Sequence, residues 1–375
     1  MKIIELILTD YTLQIVSLGS ALLGVISGVL GSFAVIRKES LLGDAVSHSA
    51  LPGIALAFII TQTKNTEILL LGALISGLLS TFIIMGISKY SKIKFDSALA
   101  LILSVFFGGG LVLLTYIQKI PNANQAGLEK FIFGQASTLL LRDVKIIAIL
   151  GLVLLFLVLL FWKEFKIVSF DIDFAESIGF DTKKITALLF AMIVTSIIIG
   201  LQTVGVILMS AMLIAPGVAA RQWTDKLSVM TFLSAIFGAI SGIVGTIISS
   251  TVSKLPTGPT IVIVVSIIVL ISLTLAPNRG LVWSALRQRK NKKNISADQT
   301  LANLYHLSYD YPQSQGFQKV LIRPNLAQEK NGLEKINEQI NSLISKKLVN
   351  KIDKNNYQIS NKGKTYIENY FKEEM

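Results

Sequence analysis

Nine stretches of this chain are strongly apolar, at about 13–36, 41–61, 66–88, 96–116, 143–162, 185–201, 203–220, 228–251 and 259–276. Most are long enough to cross a bilayer. No water reaches the hydrocarbon core, so backbone there must satisfy its own hydrogen bonds, and runs of about 20 apolar residues do so as helices. The expected fold is therefore an all-α polytopic membrane protein with eight or nine transmembrane helices. Eight stays open because 185–201 and 203–220 are short for full crossings. Composition agrees, with 52% of the 375 residues hydrophobic and 15% charged. The opening residues MKIIELILTDYT carry Glu5 and Asp10 and run straight into the first apolar segment, which predicts no cleaved presequence.

Basic clusters fall at Arg37/Lys38, Lys89/Lys92/Lys94, Lys163/Lys166 with Lys183/Lys184, Arg221/Lys226, and from Arg279 to Lys293. Each follows an odd-numbered segment. Cytoplasmic loops carry the excess of Lys and Arg, so the N-terminus is expected outside and the C-terminus inside. The stretch 117–142 (IQKIPNANQAGLEKFIFGQASTLLLR) is too polar to span and too apolar for plain loop, and is expected as a re-entrant piece packed against protein. Glycines spaced by four, Gly24/Gly28 and Gly238/Gly242, form faces on which helices can approach closely.

Residues 1–276 hold 18 Lys+Arg against 14 Asp+Glu, a net +4, while 277–375 hold 17 against 9, a net +8. The surplus lies outside the membrane part, where basic residues meet anionic lipid, and it does not call for nucleic acid. The chain is expected to divide into a transmembrane domain (1–278), a basic juxtamembrane linker (279–296) and a cytoplasmic C-terminal domain (297–375). In that last part a helix near 297–308, a helix near 331–347, the hairpin LVNKIDKNNYQIS and a helix near 361–373 resemble part of a small α+β winged-helix module. His306 and Asp310 stand four apart there, a spacing more often found on a solvated helix face.

Chemistry concentrates in GDAVSHSALPG, residues 43–53. Asp44 and His48 are four apart, so on a helix both side chains share one face. If the helix starts near Glu39, His48 lies about 13 Å deeper, near the middle of the bilayer. Ionisable groups at that depth are costly unless they are paired or face a cavity. Pro52 and Gly53 are expected to break the helix just beyond, beside a pathway. The bland alternative has His48 bonded to a neighbouring helix and Asp44 paired with Arg37 or Lys38. The chain has no cysteine, so any metal must be held by oxygen and nitrogen. One helix offers only two ligands; two copies facing across a two-fold axis would offer two carboxylates and two imidazoles, a set suited to Mn²⁺, Fe²⁺ or Zn²⁺.

Residues Phe170 to Phe180 form a second pattern. Phe170, Phe174 and Ile178 recur at i, i+4 and i+8 with Asp171, Asp173 and Glu176 between them, in a loop flanked by lysines. An amphipathic helix with acids on its polar face is ill-suited to a bilayer surface and implies a protein partner.

Three stretches, LLGDAVSHSALPGIALAF (41–58), VSFDIDFAESIGFD (168–181) and GLQTVGVILMSAMLIAPGVAAR (200–221), resemble in order and spacing the membrane subunit of ATP-binding-cassette importers for manganese, zinc and iron. The likeness covers roughly residues 10–285. It implies a multi-pass permease of the bacterial cell membrane that works as a pair with a second copy of itself or a homologue. It also implies an extracytoplasmic metal-binding protein as donor and a separate cytoplasmic ATPase as motor. On this resemblance Asp44 and His48 line the metal path, and Phe170, Asp171, Phe174, Ala175, Ile178 and Gly179 dock on the ATPase. No cofactor is expected to be permanently bound; the divalent metal is cargo, manganese first, with zinc and iron open. The family often shows an acidic pair before the fourth span, where this chain has Phe95-Asp96, which leaves Asp96 outside the ligand set.

The chain is not expected to be an enzyme. QISNKGKT offers Gly363-Lys364-Thr365 but has Gln358 where a phosphate-cradling loop needs its first glycine. Two other functions remain at this stage. An ion-gradient transporter should show matching broken helices in two inverted halves, and only one acidic motif is present. A membrane-bound sensor would use the tail as its output.

Overall fold

The computed structural model describes residues 10–63, 65–119, 134, 139–252, 255–314, 316–323, 332–353 and 355–373. It separates into two compact units, Met1–Leu281 and Val282–Met375.

The first unit is built of helices. They are α1 (Tyr11–Ile36), α2 (Leu42–Thr61), α3 (Thr66–Tyr90), α4 (Phe95–Gln118), α5 (Leu141–Leu160), α6 (Trp162–Phe170), α7 (Ile172–Ser177), α8 (Thr182–Val204), α9 (Val206–Trp223), α10 (Leu227–Thr251) and α11 (Thr257–Leu275). Among the described residues, eight helices are long and apolar enough to cross a membrane: α1 to α5, α8, α10 and α11. The remaining expected segment, the seventh, is α9, of 18 residues. It is separated from α8 by Gly205, whose φ of 89° suits a residue without a Cβ. The chain doubles back there, because a Cβ on Gly200 would meet Met209 Sδ at 2.4 Å, a contact an unbroken helix would not allow. Expected segment six is thus longer than its sequence suggested, 23 residues rather than 17.

Small residues decide how the bundle closes. A Cβ on Gly24 would lie 2.2 Å from Gly238 O, one on Gly28 2.4 Å from Ser234 O, and one on Gly242 2.4 Å from Ser20 O. The two glycine faces therefore pack on each other, α1 against α10, backbone to backbone. Ser234 Oγ donates to Gly28 O at 2.6 Å, and Ser32 Oγ meets Thr231 Oγ1 at 2.9 Å, which satisfies hydroxyls where water is absent. End-to-end contacts give the bundle two distinct ends. Arg142 at the head of α5 pairs with Glu67 at the head of α3. At the other end, after α9 and α11, Arg279 Nη2 donates to Asp225 Oδ1 at 2.6 Å.

Most of 117–142, expected as a re-entrant piece, lies outside the described residues. Ile117 and Gln118 complete α4, and Gly134 packs its backbone on Val204, where a Cβ would come within 2.2 Å of the carbonyl carbon.

The second unit has its own core of Leu301, Leu304, Phe317, Ile322, Ile336, Ile340, Leu343, Tyr357, Ile359 and Ile367, among others. Its elements are α12 (Leu281–Asp310), β1 (Phe317–Gln318), α13 (Lys319–Ile322), α14 (Gly332–Ser345), β2 (Val349–Lys351), β3 (Asn356–Ile359) and α15 (Asn361–Glu373). The antiparallel sheet has the order β1-β3-β2, with Lys351 opposite Tyr357 in the hairpin. Two differences from the sequence reading stand out. Residues 281–296, expected as linker, are the first half of a single 30-residue helix, and β1 with α13 went unforeseen. A two-residue strand carries no periodicity to detect.

Candidate metal pathway and docking surface

α2 starts at Leu42 behind Leu41 as its capping residue, three residues later than the sequence suggested. His48 is accordingly about 9 Å from the helix start rather than 13 Å, at 1.5 Å per residue. The helix also runs through Pro52 without stopping. The expected break at Pro52 and Gly53 is therefore corrected: proline costs one backbone donor, and packing on both sides carries the helix past it. On one side a Cβ on Gly110 of α4 would touch Pro52 Cδ at 3.0 Å; on the other, one on Gly53 would lie 2.1 Å from Gly72 O of α3. Ser76 Oγ reaches across to Ser49 O at 2.6 Å. Gly53 is a close-approach residue, not a hinge.

From Leu42 to Leu56 the open positions of α2 lie on one line, while its last turn is also open at Ala57, Ile59 and Thr61. Asp44, His48, Pro52, Leu56 and Ile60, each four apart, are the positions left partly or fully exposed along that face. Two of them are the ionisable pair. His48 Nε2 lies 3.4 Å from Asp44 Oδ1, with the imidazole 15% and the carboxylate 41% exposed. That separation is a charge contact rather than a tight hydrogen bond. The Phe107 ring of α4 meets His48 edge-on at 4.6 Å between centroids, and Nδ1 is buried without a hydrogen-bond partner among the described residues. A buried imidazole nitrogen with nothing to bind is costly.

The bland alternative for Asp44 fails. Arg37 pairs instead with Glu39, through Nε to Oε2 at 2.8 Å and Nη2 to Oε1 at 3.0 Å. No cluster of three or more His, Asp or Glu forms a metal site among the described residues. One copy therefore presents one carboxylate and one imidazole on an open edge.

The second pattern is also rearranged. Asp171 is extended, with φ −152° and ψ 104°, and divides the expected continuous helix into α6 and α7. Its carboxylate accepts from Phe174 N–H at 2.9 Å, so the polar residue that ends one helix caps the next. The i, i+4, i+8 register across Phe170, Phe174 and Ile178 is thereby interrupted, yet all three remain about half exposed, and Ile172 joins them. Ala175 turns inward and is fully buried. Gly179, with φ 91° and open space where a Cβ would be, ends the segment. Glu176 Oε1 accepts from Thr182 Oγ1 at 2.6 Å, tying α7 to the first residue of α8. The result is a short exposed apolar knob on a turn held at both ends.

Phe107, Ile172 and the Arg37–Glu39 pair were not legible beforehand. Phe107 meets His48 across 59 positions of sequence, and a pair two residues apart has no helical or strand period to flag it.

A multi-pass helical bundle with an acid and an imidazole on the unfilled edge of a buried helix defines a membrane permease fold. Residues 9–276 match the ABC 3 transport family, and the chain belongs to it. It is 51% identical over 282 residues to the zinc transport system membrane protein TroC of Treponema pallidum, covering 75% of this chain and 95% of that one. It is 47% identical over 292 residues to the manganese transport system membrane protein MntC of Bacillus subtilis, covering 78% and 67%. Among solved structures it is similar to PsaBC from Streptococcus pneumoniae in complex with Fab, with a TM-score of 0.65 and 31% identity, covering 74% of this chain and 96% of that one.

Proposed function

We propose that this chain is the permease subunit of an ATP-binding-cassette importer that carries a divalent transition metal, manganese first, into the cytoplasm of a bacterial cell. It is a transport subunit, energised by a separate ATPase. The observation that carries this reading is the open line on α2: between Leu42 and Leu56 the helix is otherwise sealed, and the open residues include both Asp44 and His48. A second copy facing that line would complete two carboxylates and two imidazoles around an ion, and the oxygen share of the set, without thiolate, leans to manganese over zinc. Relatives named for zinc and for manganese are both close, so the metal is a separate question from the transport.

The knob of Phe170, Ile172, Phe174 and Ile178 is assigned to the ATPase groove. Four half-exposed apolar side chains beside lysines are poorly served by water, and lipid would prefer lysines to Asp171, Asp173 and Glu176. An extracytoplasmic metal-binding protein would deliver the ion. With the C-terminus inside, the three-part division at 278 and 296 puts 297–375 in the cytoplasm. Its order of helix, strand, two helices, hairpin and helix supports a winged-helix-like module that contacts the ATPase or anionic lipid.

The test is uptake in cells with and without the gene, resolved by metal. Loss of manganese accumulation on deletion, restored by the intact chain, is expected; equal uptake of manganese, zinc and iron in both strains would overturn the reading.

A further inference from the structure

We infer that the buried Arg37–Glu39 ion pair is a positioning device that transmits movement of the docking knob to the Asp44–His48 pair. The inference rests on the proposed function. Three sets of contacts converge on these two side chains, all within the first compact unit.

The first set leads from the knob. α6 is continuous with α7 through Asp171 alone, and its Trp162 and Phe165 rings meet Phe33 of α1 edge-on at 5.7 and 6.0 Å. Phe33 is fully buried and lies one helical turn before Arg37. The second set leaves the knob in the other direction. Glu176 is bonded to Thr182 at the head of α8, and farther along α8 the Phe190 ring lies 5.3 Å from the Arg37 guanidinium carbon. Phe190 in turn stacks at 6.1 Å on Phe95, at the head of α4, the helix whose Phe107 touches His48. Both exits from the knob therefore arrive at Arg37.

The third set leads from Arg37 to the metal pair. Its guanidinium grips Glu39 with both teeth of the fork, across Lys38 in a left-handed turn of φ 60°. Glu39 is the joint of that turn: its N–H donates to Ala34 O of α1 at 2.9 Å, and its C=O accepts from Leu42 N, the first residue of α2, at 3.1 Å. Asp44 follows two residues later.

An ion pair placed here is not explained by stability. The side chains are only 6% and 13% exposed, and taking two charges out of water costs about as much as their attraction returns. Burial pushes the Glu39 carboxyl upward, against the pull of Arg37, and the nearby Asp96 adds to the rise. Arg37 Nη1 is buried with no partner among the described residues. A bidentate fork does have one property that aromatic contacts lack: it fixes direction as well as distance, so a shift of α1 or α8 must carry Glu39 with it. Aromatic rings slide.

The experiment uses the complete transporter, permease with its ATPase and binding protein, in proteoliposomes, and measures Mn²⁺ imported per ATP hydrolysed. The variant is the neutral pair Arg37→Gln with Glu39→Gln, which leaves no charge stranded. It is expected to insert, to purify with the ATPase at wild-type yield and to hydrolyse ATP, while import per ATP falls by about two- to thirtyfold. Arg37→Lys, which keeps the charge without the fork, is expected to recover part of that ratio. An unchanged ratio in the neutral pair would overturn the inference. So would failure of that variant to assemble, because the pair would then serve folding alone. Failure of the proposed function looks different: wild-type complex that hydrolyses ATP but imports no metal.

Discussion

Two glycine-bearing edges of the bundle use the same residue in opposite ways. On the seam between α1 and α10, every one of Gly24, Gly28, Gly238 and Gly242 would drive a Cβ into facing backbone. On α4, Gly108 and Gly109 have nothing within 4 Å of that position, while Phe107 and Gly110 of the same helix reach His48 and Pro52 on the open line of α2. The first edge is finished within one chain. The second is left unfilled at those two glycines, one helix away from the ionisable pair. A charge-bearing edge open to lipid would be costly, so the contrast itself argues for a partner copy there.

The largest effect should come from closing the gap in the finished seam. Gly24→Leu must push backbone apart, and such overpacking costs about 1–3 kcal/mol or more. The protein should be lost from the membrane fraction, as read by immunoblot against wild type. Survival at normal abundance would mean that the seam can separate, and the comparison would lose its rigid half.

Next in size are Asp44→Ala and His48→Ala on the open edge. Each should leave abundance unchanged and lower manganese uptake by about 100-fold, the upper range for disturbing a metal site. Wild-type uptake by either would remove the site.

Phe174→Asp puts a charge on the apolar knob and should weaken ATPase capture by about 30-fold, in keeping with the loss of one interface anchor. Co-purification at normal yield would show that the knob docks elsewhere. The smallest effect belongs to Gly86→Ala, also in open space, on α3. It should change abundance and uptake by less than about twofold, since a surface position without a special backbone need is close to neutral. Gly108→Leu sharpens the contrast: abundance is expected to stay normal while cross-linking between two copies through the α2 edge falls.

How much of this was readable in advance differs by element. The spans were, because a run of apolar residues in a bilayer has one backbone solution. Asp44 and His48 were placed on one face by their spacing alone, and the structure keeps them there at 3.4 Å. Pro52 misled because its local rule, a lost hydrogen bond, holds only until neighbours pack around it; Gly72 and Gly110 do so, from 20 and 58 positions away. The knob was recognised by composition but misread in register, since Asp171 could equally have ended one helix or ridden on its polar face.

What sequence alone determined here is everything set by period and polarity: the crossings, the acid and base one turn apart, the apolar knob, and the change to a polar tail after 276. What only the tertiary structure decided is which glycine face is filled and which is not, where α8 reverses into α9, and that Arg37 chooses Glu39 over Asp44. The glycine faces depend on contacts between residues far apart in the chain, and even for Arg37, whose partner stands two residues away, no local pattern encodes which of two chemically adequate partners will be brought within about 3 Å.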